Sequence, residues 1–199
     1  MKIIFATGNM HKLREAQEIL GPGFELTTPQ ALGCTEEIPE NATTFEGNAK
    51  EKAQYLWDRF GLPCFADDSG LEVDALNGAP GVYSARYAGP QKNDADNLQK
   101  LLEDLQHIPE QDAQGQALRT ARFRCVIALM LEDGCHLFHG TSEGCITTAP
   151  SGNGGFGYDP VFRPQGYDRN FSELSAEEKN SISHRGSALR AMAQWLKQR

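Results

Sequence analysis

Lys2-Ile-Ile-Phe-Ala-Thr-Gly-Asn9 joins an apolar run to a polar turn, and the chain around it alternates between strand and helix patterns. The run Lys2–Ala6 predicts a short strand, and apolar residues at helical spacing after the turn predict a helix that ends near Leu20. Gly21-Pro-Gly23 ends this helix, and Phe24–Thr28 predicts a second strand. A strand, a helix and a second strand in succession are typical of an α/β protein.

The rest of the chain continues this alternation and then adds a β-hairpin. The further predicted strands are Pro63–Ala66, Arg122–Leu131, Cys135–His139 and Gly144–Thr148, with a hairpin turn at Glu132–Gly134. The further predicted helices run from Thr43 or Thr44 to about Phe60, from Asp94 to Leu105, after a capping box of Ser175 and Glu178, and from about Arg185 to Lys197. The polar segment Pro109–Gln116 is predicted to be a mobile loop. Together these patterns predict an α/β fold with a mixed sheet.

The composition limits the classes of protein to which the chain can belong. It has 199 residues, of which 39% are hydrophobic and 23% charged, so it suits one globular core and is unlike disordered, collagenous or coiled-coil chains. The net charge of −8 disfavours nucleic acid as a partner, because phosphate neutralisation needs an excess of Lys and Arg. The longest apolar run, Cys125–Leu131, is far too short to span a bilayer, and the N-terminus reaches Gly8 without the apolar region of a signal peptide. We therefore expect a single domain over residues 1–199 and no membrane partner.

The cysteine pattern indicates the redox environment. The chain has an odd number of cysteines, five, and no two of them have CxxC spacing. They are Cys34, Cys64, Cys125, Cys135 and Cys145. This pattern disfavours a disulfide framework and a structural zinc site. It predicts reduced thiols and a cytoplasmic location.

Thr7-Gly-Asn-Met-His-Lys12 lies where the first predicted strand passes into the first helix. Free backbone N–H groups and the positive end of the helix dipole favour an anion at such a turn, and Lys12 adds a positive charge. The ordinary structural explanation is a strand-to-helix turn in which Asn9 caps the helix. Since the turn lacks the GxxxxGK[ST] pattern of a Walker loop, both explanations stay open at this point.

Two groups of acidic residues are candidates for metal or water chemistry. Asp67 and Asp68 follow a predicted buried strand, where α/β proteins place ligands, and neighbouring residues of an extended chain point to opposite faces. One of them is a candidate to bind a metal ion or a water molecule while the other caps the next turn; the alternative is an Asx turn with both carboxylates in solvent. Glu40 precedes a helix on which Asn48 and Lys52 share a face, and Mg²⁺ prefers carboxylate ligands together with phosphate oxygens. The alternative for this segment is a solvated acidic loop beside a surface helix.

Two segments late in the chain are candidates to contact the organic part of a ligand. Gly152-Asn-Gly-Gly-Phe-Gly-Tyr-Asp-Pro160 allows a close backbone approach and offers an aromatic ring for stacking on a base; otherwise it is a tight turn with its aromatic residues in the core. Glu178-Lys-Asn-Ser-Ile-Ser-His-Arg-Gly186 concentrates hydrogen-bond donors on Lys179, His184 and Arg185 at a junction between two helices. The alternative here is compensation of a helix dipole together with a surface histidine.

Several motifs follow one another along nearly the whole chain. They are Thr7-Gly-Asn with Lys12, Phe45 with Asn48-Ala and Lys52-Ala, Ala66-Asp-Asp-Ser-Gly-Leu71, Gly78-Ala-Pro-Gly-Val-Tyr-Ser-Ala-Arg-Tyr87, Gly154-Gly-Phe-Gly-Tyr-Asp-Pro160 and Ser183-His-Arg185. In this order they resemble the motifs of the non-canonical purine nucleoside triphosphate pyrophosphatases, also called inosine triphosphate pyrophosphatases. The clearest local difference is the Gln-rich segment 111–116, in a predicted loop.

The resemblance implies a homodimeric, Mg²⁺-dependent enzyme that hydrolyses ITP, dITP and XTP to the nucleoside monophosphate and pyrophosphate. Such an enzyme removes deaminated purine nucleotides before polymerases incorporate them into DNA and RNA. The resemblance also implies an elongated α/β domain with a central mixed β-sheet flanked by helices, and two lobes around a nucleotide-binding cleft.

The resemblance assigns roles to individual residues as well. Asp68 is the implied catalytic proton acceptor and a Mg²⁺ ligand, and Glu40 or a neighbouring glutamate is the implied second ligand. The implied triphosphate contacts are Thr7, Gly8, Asn9, Met10, His11, Lys12, Lys52 and Ser69. The implied base pocket consists of Phe156, Gly157, Tyr158, Asp159, Lys179, His184 and Arg185. Lys179 and Arg185 can only donate hydrogen bonds, so they suit the C6 oxygen of hypoxanthine and xanthine and oppose the amino group of adenine.

Two other functions remain as alternatives. An enzyme of the same reaction type with another base preference, such as one for modified pyrimidines, would differ in its products over a panel of nucleotides. A non-catalytic nucleotide sensor would bind ITP without releasing pyrophosphate. The adjacent pair Asp67-Asp68 favours an enzyme, because a sensor needs no activated water.

Overall fold

The structure, a computed structural model, describes the chain from Met1 to Arg199 except for the side chain of His11. Over the described residues the strands are β1 (Lys2–Phe5), β2 (Glu25–Thr27), β3 (Cys64–Val73), β4 (Thr120–Leu131), β5 (Gly134–Ile146) and β6 (Phe162–Pro164). The α-helices are α1 (Met10–Leu20), α2 (Phe45–Phe60), α3 (Asp94–Asp104), α4 (Ala176–Ile182) and α5 (His184–Lys197). Among these residues, no helix is both long and apolar enough to cross a membrane.

The strands form a mixed sheet in the order β2-β1-β3-β4-β5-β6. β1 runs parallel to β2, with Ile3 opposite Leu26, and parallel to β3, with Ile4 opposite Cys64. β6 runs antiparallel to β5. Parallel and antiparallel neighbours in one sheet, combined with helices, confirm the predicted α/β fold with a mixed sheet.

The chain divides into two compact units, each with its own apolar core. Unit 1 contains Met1–Asp68, Cys125–Gly140 and His184–Arg199, and unit 2 contains Ser69–Arg124 and Thr141–Ser183. The core of unit 1 combines the apolar faces of α1 and α5 with residues of β1, β3 and β4. The core of unit 2 combines the apolar face of α3 with residues of β3, β4 and β6. In unit 1, α1 and α5 pack on the core with the faces that their apolar spacing predicts.

Helix α2 begins and ends where the sequence predicts. Thr44 is extended, and its Oγ1 accepts a hydrogen bond of 3.0 Å from the N–H of Gly47, which satisfies one of the open donors at the helix start. Gly61 follows the helix with a φ of 59°, a left-handed conformation that glycine adopts without steric cost. The helix buries two polar side chains, those of Asn48 and Lys52, along with its apolar face. Buried polar groups need partners, so this face of α2 marks a candidate site.

Strand β3 is longer than predicted, which corrects the expected position of the acidic pair. The sequence predicted a strand that ends at Ala66, but β3 continues to Val73. Leu71 and Val73 are fully buried in the core of unit 2, and this burial keeps the chain extended. Asp67 and Asp68 therefore lie within a strand and not in the turn that follows one.

Strand β5 also differs from the prediction. The predicted strands Cys135–His139 and Gly144–Thr148 belong to one continuous strand that ends at Ile146. Gly140, near the middle of that strand, is buried against the backbone of α5. A glycine within a strand often marks such a close approach of another backbone, and the strand continues through it here.

Gly140 leaves room for the start of α5, which carries two of the candidate site residues. A Cβ at this position would overlap the carbonyl oxygen of His184 and lie 2.6 Å from the backbone nitrogen of Ala188. Gly140→Ala should therefore lower the free energy of unfolding by about 1–3 kcal/mol, the usual cost of overpacking. Urea denaturation measures this change. Gly23→Ala is the control, because no described atom lies within 4 Å of a Cβ there, and equal stability of the two variants would contradict the close approach.

Candidate active site

The adjacent residues Asp67 and Asp68 of β3 have partners on different helices. Asp67 contacts Lys12 of α1 and Arg185 of α5, whereas Asp68 contacts Asn48 of α2. Neighbouring residues of a strand point to opposite faces of its sheet, so the structure confirms the expected separation. The two carboxylates consequently have different environments and cannot share one role.

Asp67 is the centre of a buried ion-pair network. Its side chain is 2% exposed, and its Oδ2 accepts hydrogen bonds from Lys12 Nζ at 3.1 Å and Arg185 Nε at 3.0 Å. A second carboxylate, that of Glu15 on α1, lies 3.7 Å from the Arg185 guanidinium. Burial by itself raises the pKa of Asp67, but Lys12 and Arg185 outweigh burial and hold it well below its ordinary value. Asp67 is therefore ionised and fully engaged in structural ion pairs.

Asp68 is more accessible, and its carboxylate is less tightly paired. Its side chain is 15% exposed; Asn48 Nδ2 donates to Oδ2 at 3.1 Å, and Lys52 Nζ lies 3.5 Å from Oδ1. Burial raises the pKa of Asp68 above its ordinary value, and Lys52 and Asn48 oppose this effect only in part. A carboxylate with a raised pKa and some access to solvent is suited to accept a proton.

Lys52 connects Asp68 to Glu40. Its ammonium lies 2.5 Å from Glu40 Oε1 as well as 3.5 Å from Asp68 Oδ1. Burial lowers the pKa of Lys52, but the carboxylates of Asp67, Asp68 and Glu40 outweigh burial and raise it. Lys52 is therefore a permanent cation between two carboxylates.

Glu40 and Asp68 are the carboxylates that could hold a divalent cation. Both lie within 4 Å of the Lys52 ammonium, so the two carboxylates face the same small region. Small divalent cations commonly take one or two carboxylates and complete their shell with water and phosphate oxygens. In the part of the chain that the structure describes, no cluster of three or more His, Cys, Asp or Glu side chains is arranged to hold a metal ion. The pair fits a cation whose remaining ligands come from water and from a phosphate-bearing substrate.

A pocket of about 200 Å³ in unit 1 is lined in part by Glu40 and Lys52. Its lining residues are Ala6, Thr7, Gly8, Gln30, Glu36, Glu37, Ile38, Glu40 and Lys52. Four of these, namely Thr7, Gly8, Glu40 and Lys52, are among the residues that the sequence predicts for the site. The pocket thus brings the predicted phosphate-binding turn and one of the predicted metal ligands together.

The turn before α1 caps the helix, and its role in binding an anion stays a prediction. Thr7 Oγ1 accepts a hydrogen bond from the N–H of Asn9 at 3.0 Å, and Asn9 Oδ1 accepts one from the N–H of Lys12 at 3.3 Å. Asn9 is therefore the helix cap, while Thr7 and Gly8 line the pocket. Met10 is exposed, and the side chain of the predicted contact His11 lies outside what the structure describes.

The charged groups of Lys12 and Arg185 both point to Asp67, inside unit 1. Lys12 keeps a side-chain exposure of 24%, whereas the Arg185 side chain is 6% exposed. Either residue can contact a nucleotide only if it shares its charge between that nucleotide and Asp67. The predicted roles of Lys12 at the phosphates and of Arg185 at the base stay predictions on these terms.

Unit 2 brings together three residues of the predicted base pocket. Lys179 Nζ lies 2.5 Å from Asp159 Oδ2 and 4.7 Å from the centre of the Phe156 ring. Asp159 Oδ2 also accepts a hydrogen bond from the N–H of Phe156 at 2.9 Å, which fixes the loop around the ring. The Phe156 residue is 52% exposed, so it is not a core residue. An exposed ring beside a lysine is a suitable surface for stacking a base.

The other predicted pocket residues lie in different surroundings. Tyr158 is buried, and its hydroxyl donates to the carbonyl oxygen of Ser84 at 2.7 Å, so its side chain belongs to the core of unit 2. The N–H of Gly157 donates to Asp94 Oδ2 at 2.9 Å. His184 is buried in unit 1 together with Arg185, which excludes the surface histidine of the alternative explanation. Ser69 follows Asp68 on β3 as the first residue of unit 2 and is half-buried.

The sequence alone did not assign roles to several residues that form the site. Glu15 lies one turn after Lys12 on α1, but nothing in the sequence shows that it approaches Arg185. Gln30 lines the pocket from a short helical turn after β2. The sequence placed Asn48 on the same helix face as Lys52, which indicated that it lies near the site. It did not indicate the two partners of Asn48, which are Asp68 and the backbone of Ala42.

The chain is similar over nearly its whole length to proteins of one family. A family model described as the Ham1 family matches residues 3–195. The chain is 50% identical over 195 residues to the dITP/XTP pyrophosphatase of Porphyromonas gingivalis, an alignment that covers 98% of this chain and 97% of that protein. It is 47% identical over 197 residues to the dITP/XTP pyrophosphatase of Flavobacterium psychrophilum, with 99% of this chain and 100% of that protein covered.

A solved structure supports the same relationship. The structure of a HAM1 protein from Coxiella burnetii matches this one with a TM-score of 0.89 and 41% sequence identity, and all of both chains is covered. Agreement in sequence and in fold over the full chain goes beyond a shared architecture. With the family model matched from residue 3 to residue 195, the protein belongs to the Ham1 family.

Proposed function

We propose that this protein hydrolyses the non-canonical purine nucleotides ITP, dITP and XTP to the nucleoside monophosphate and pyrophosphate, and so keeps them out of DNA and RNA. The observation that carries the proposal is the convergence of Glu40 and Asp68 on Lys52, beside a pocket lined by Thr7 and Gly8. Relatives of about half identity over the full chain are dITP/XTP pyrophosphatases, which favours the same reaction here.

In this proposal Asp68 is the proton acceptor. The oxygen of a water molecule attacks a phosphoryl group of the triphosphate, a proton of that water passes to the Asp68 carboxylate, and the bond to the departing pyrophosphate breaks. In the protein without a bound cation, burial raises the pKa of Asp68 above that of an exposed aspartate. Lys52, held beside the same carboxylate, offers a positive charge to the phosphate oxygens.

We propose Mg²⁺ as the cofactor, with Glu40 and Asp68 as its protein ligands. The described pocket lining includes three glutamates, at positions 36, 37 and 40, and one lysine, so a triphosphate needs further positive charge there. When bound, Mg²⁺ would neutralise charge on the phosphate oxygens.

Base selection is proposed to depend on Phe156 and Lys179. The exposed Phe156 ring offers a face for stacking, and Lys179 offers only hydrogen-bond donors. The C6 oxygen of hypoxanthine or xanthine accepts such a bond. The amino group of adenine cannot, and an unpaired buried donor costs about 1–3 kcal/mol.

Lys179→Met tests this assignment. The variant should lose about tenfold in kcat/KM for ITP while kcat/KM for ATP changes little, because ATP gains nothing from that donor. Lys100→Met is a matched control in the same unit, since Lys100 pairs with Asp104 at 3.1 Å and lies 4.8 Å from the centre of the Tyr87 ring. Steady-state kinetics on both nucleotides decides the matter: an unchanged ratio of ITP to ATP turnover in Lys179→Met would show that Lys179 does not select the base.

We also propose that residues 1–199 act as one domain in a cytoplasmic homodimer, without nucleic acid or membrane as a partner. The five cysteines are free thiols, as expected in a reducing compartment, and the net charge of −8 opposes nucleic-acid binding. Sedimentation equilibrium tests the homodimer, and a monomer at all concentrations would contradict it.

A pyrophosphate-release assay over a panel of nucleotides tests the proposed function. With Mg²⁺ present, ITP, dITP and XTP should release pyrophosphate much faster than GTP or ATP, and omission of Mg²⁺ should abolish release. Preference for a modified pyrimidine nucleotide would point to the related enzyme of other base preference. Tight binding of ITP with no pyrophosphate released would point to a nucleotide sensor.

A further inference from the structure

The side chain of Asn48 bonds to the Asp68 carboxylate with one arm of its amide and to the backbone of Ala42, near Glu40, with the other. Its Nδ2 donates to Asp68 Oδ2 at 3.1 Å, and its Oδ1 accepts from the N–H of Ala42 at 2.9 Å. Asn48 is 2% exposed, so both bonds are shielded from solvent. Ala42 lies two residues after Glu40, which means that the amide connects Asp68 to the segment that carries Glu40.

The partners of this amide determine its orientation. A carboxylate can only accept and a backbone N–H can only donate, so the nitrogen must face Asp68 and the oxygen must face Ala42. An aspartate at position 48 would keep the acceptor for Ala42 but would place a second negative charge against Asp68. An alanine would remove both arms.

Other contacts hold the same segment along α2. Lys52 binds Glu40, and both the backbone and the side chain of Asn41 donate to the Glu51 carboxylate. Glu36, at the start of the segment, accepts a hydrogen bond from the Tyr55 hydroxyl at 3.0 Å. The segment is thus fixed at several points. Two of its holders also contact Asp68: the Lys52 ammonium, which lies 3.5 Å from Oδ1, and the Asn48 amide, which donates to Oδ2 and accepts from the segment's backbone.

Gly47 permits the close approach on which the Ala42 arm depends. A Cβ on Gly47 would lie 2.5 Å from the Cβ of Ala42, which is closer than non-bonded carbon atoms can approach. The backbone at Ala42 therefore lies directly against the first turn of α2, within reach of the Asn48 oxygen.

We propose that Asn48 is a positioning residue that sets the Asp68 carboxylate and the Glu40 segment relative to each other, so that both can serve one divalent cation. The inference rests on the proposed function and extends it by naming the residue that holds the cation ligands in place. Residues that support metal ligands in this way typically change metal affinity or activity by about tenfold to a hundredfold when they are replaced.

The test compares Asn48→Ala and Asn48→Asp with Asn97→Ala. Asn97 is a matched control in unit 2: it is also 2% exposed, its Nδ2 donates to the carbonyl oxygen of Ala85, and its Oδ1 accepts from the N–H of Ala88. For each protein we would measure the Kd for Mn²⁺ alone by electron paramagnetic resonance, kcat and KM for dITP at saturating Mg²⁺, and Tm.

Asn48→Ala should raise the Kd for Mn²⁺ about tenfold to a hundredfold and lower kcat by a similar factor, while KM for dITP changes less. Asn48→Asp keeps the Ala42 arm and the shape of the side chain but puts a negative charge against Asp68, so it should lose kcat at least as strongly. Asn97→Ala should lower Tm and leave both the Mn²⁺ affinity and kcat near wild type.

Two results would overturn the inference. One is an Asn48→Ala protein that loses only Tm, as Asn97→Ala does, because Asn48 would then be structural. The other is an Asn48→Asp protein with wild-type kcat, because the Asp68 arm would then contribute nothing. Failure of the proposed function would look different. The wild-type protein would release no pyrophosphate from any nucleotide, but Asn48→Ala would still bind Mn²⁺ more weakly than wild type.

Discussion

Asp68→Asn should lower kcat for dITP by a factor of about 10²–10⁴, the usual contribution of a general base, while the protein stays folded. The substitution keeps the size of the side chain and an oxygen that can accept the hydrogen bond from Asn48. It removes the negative charge that accepts the proton and helps to hold the cation. Steady-state pyrophosphate release measures the loss, and circular dichroism checks the fold.

Asp74→Asn is the control for this substitution. Asp74 is also a hydrogen-bonded aspartate, with Thr120 and Arg122 as partners, but it belongs to unit 2 and lies outside the candidate site. Its replacement should leave kcat within about twofold of wild type, since surface substitutions away from special features have small effects. If Asp68→Asn retained a kcat comparable to that of Asp74→Asn, Asp68 would not be the proton acceptor.

Asp67→Asn should instead lower the free energy of unfolding by about 3–5 kcal/mol, the typical cost of removing one partner from a buried ion pair. The change leaves the buried guanidinium of Arg185 and the partly buried ammonium of Lys12 without their shared carboxylate. Urea denaturation measures the effect. At temperatures where the variant is folded, its loss of kcat should be smaller than that of Asp68→Asn.

Asp133→Asn is a matched control in unit 1. Asp133 also contacts two basic side chains, those of His136 and Arg199, but it is exposed, and exposed pairs contribute little because water and salt screen them. Its replacement should leave the denaturation curve nearly unchanged. Equal stability of Asp67→Asn and Asp133→Asn would contradict the buried network described for Asp67.

The features that the sequence predicted well depend on local signals. Helix α2 begins after Thr44 and ends before Gly61, as expected. The capping box of Ser175 and Glu178 starts α4, and each side chain bonds to the backbone of the other residue. Apolar spacing was sufficient to place α1 and α5 on the core of unit 1. Each of these signals lies within a few residues of the feature that it predicts.

The features that the sequence did not predict depend on contacts between distant residues. Asp67 lies 55 residues from Lys12 and 118 residues from Arg185, and nothing in the sequence shows that one buried carboxylate gathers both. The length of β3 could not be predicted for the same reason. A strand can carry a buried aspartate only when cationic side chains neutralise it, and those of Lys12 and Arg185 are distant in sequence. The contact between Asn48 and Asp68 spans 20 residues and was equally hidden.

The products formed from dITP test the central claim most directly. Phosphorus NMR of a complete reaction with Mg²⁺ should show one dIMP and one pyrophosphate for each dITP consumed, with no dIDP and no inorganic phosphate as first products. Formation of dIDP and phosphate would mean that the protein cleaves the terminal phosphate and is not a pyrophosphohydrolase. Persistence of dITP under conditions where it binds the protein would contradict the assignment of an enzyme altogether.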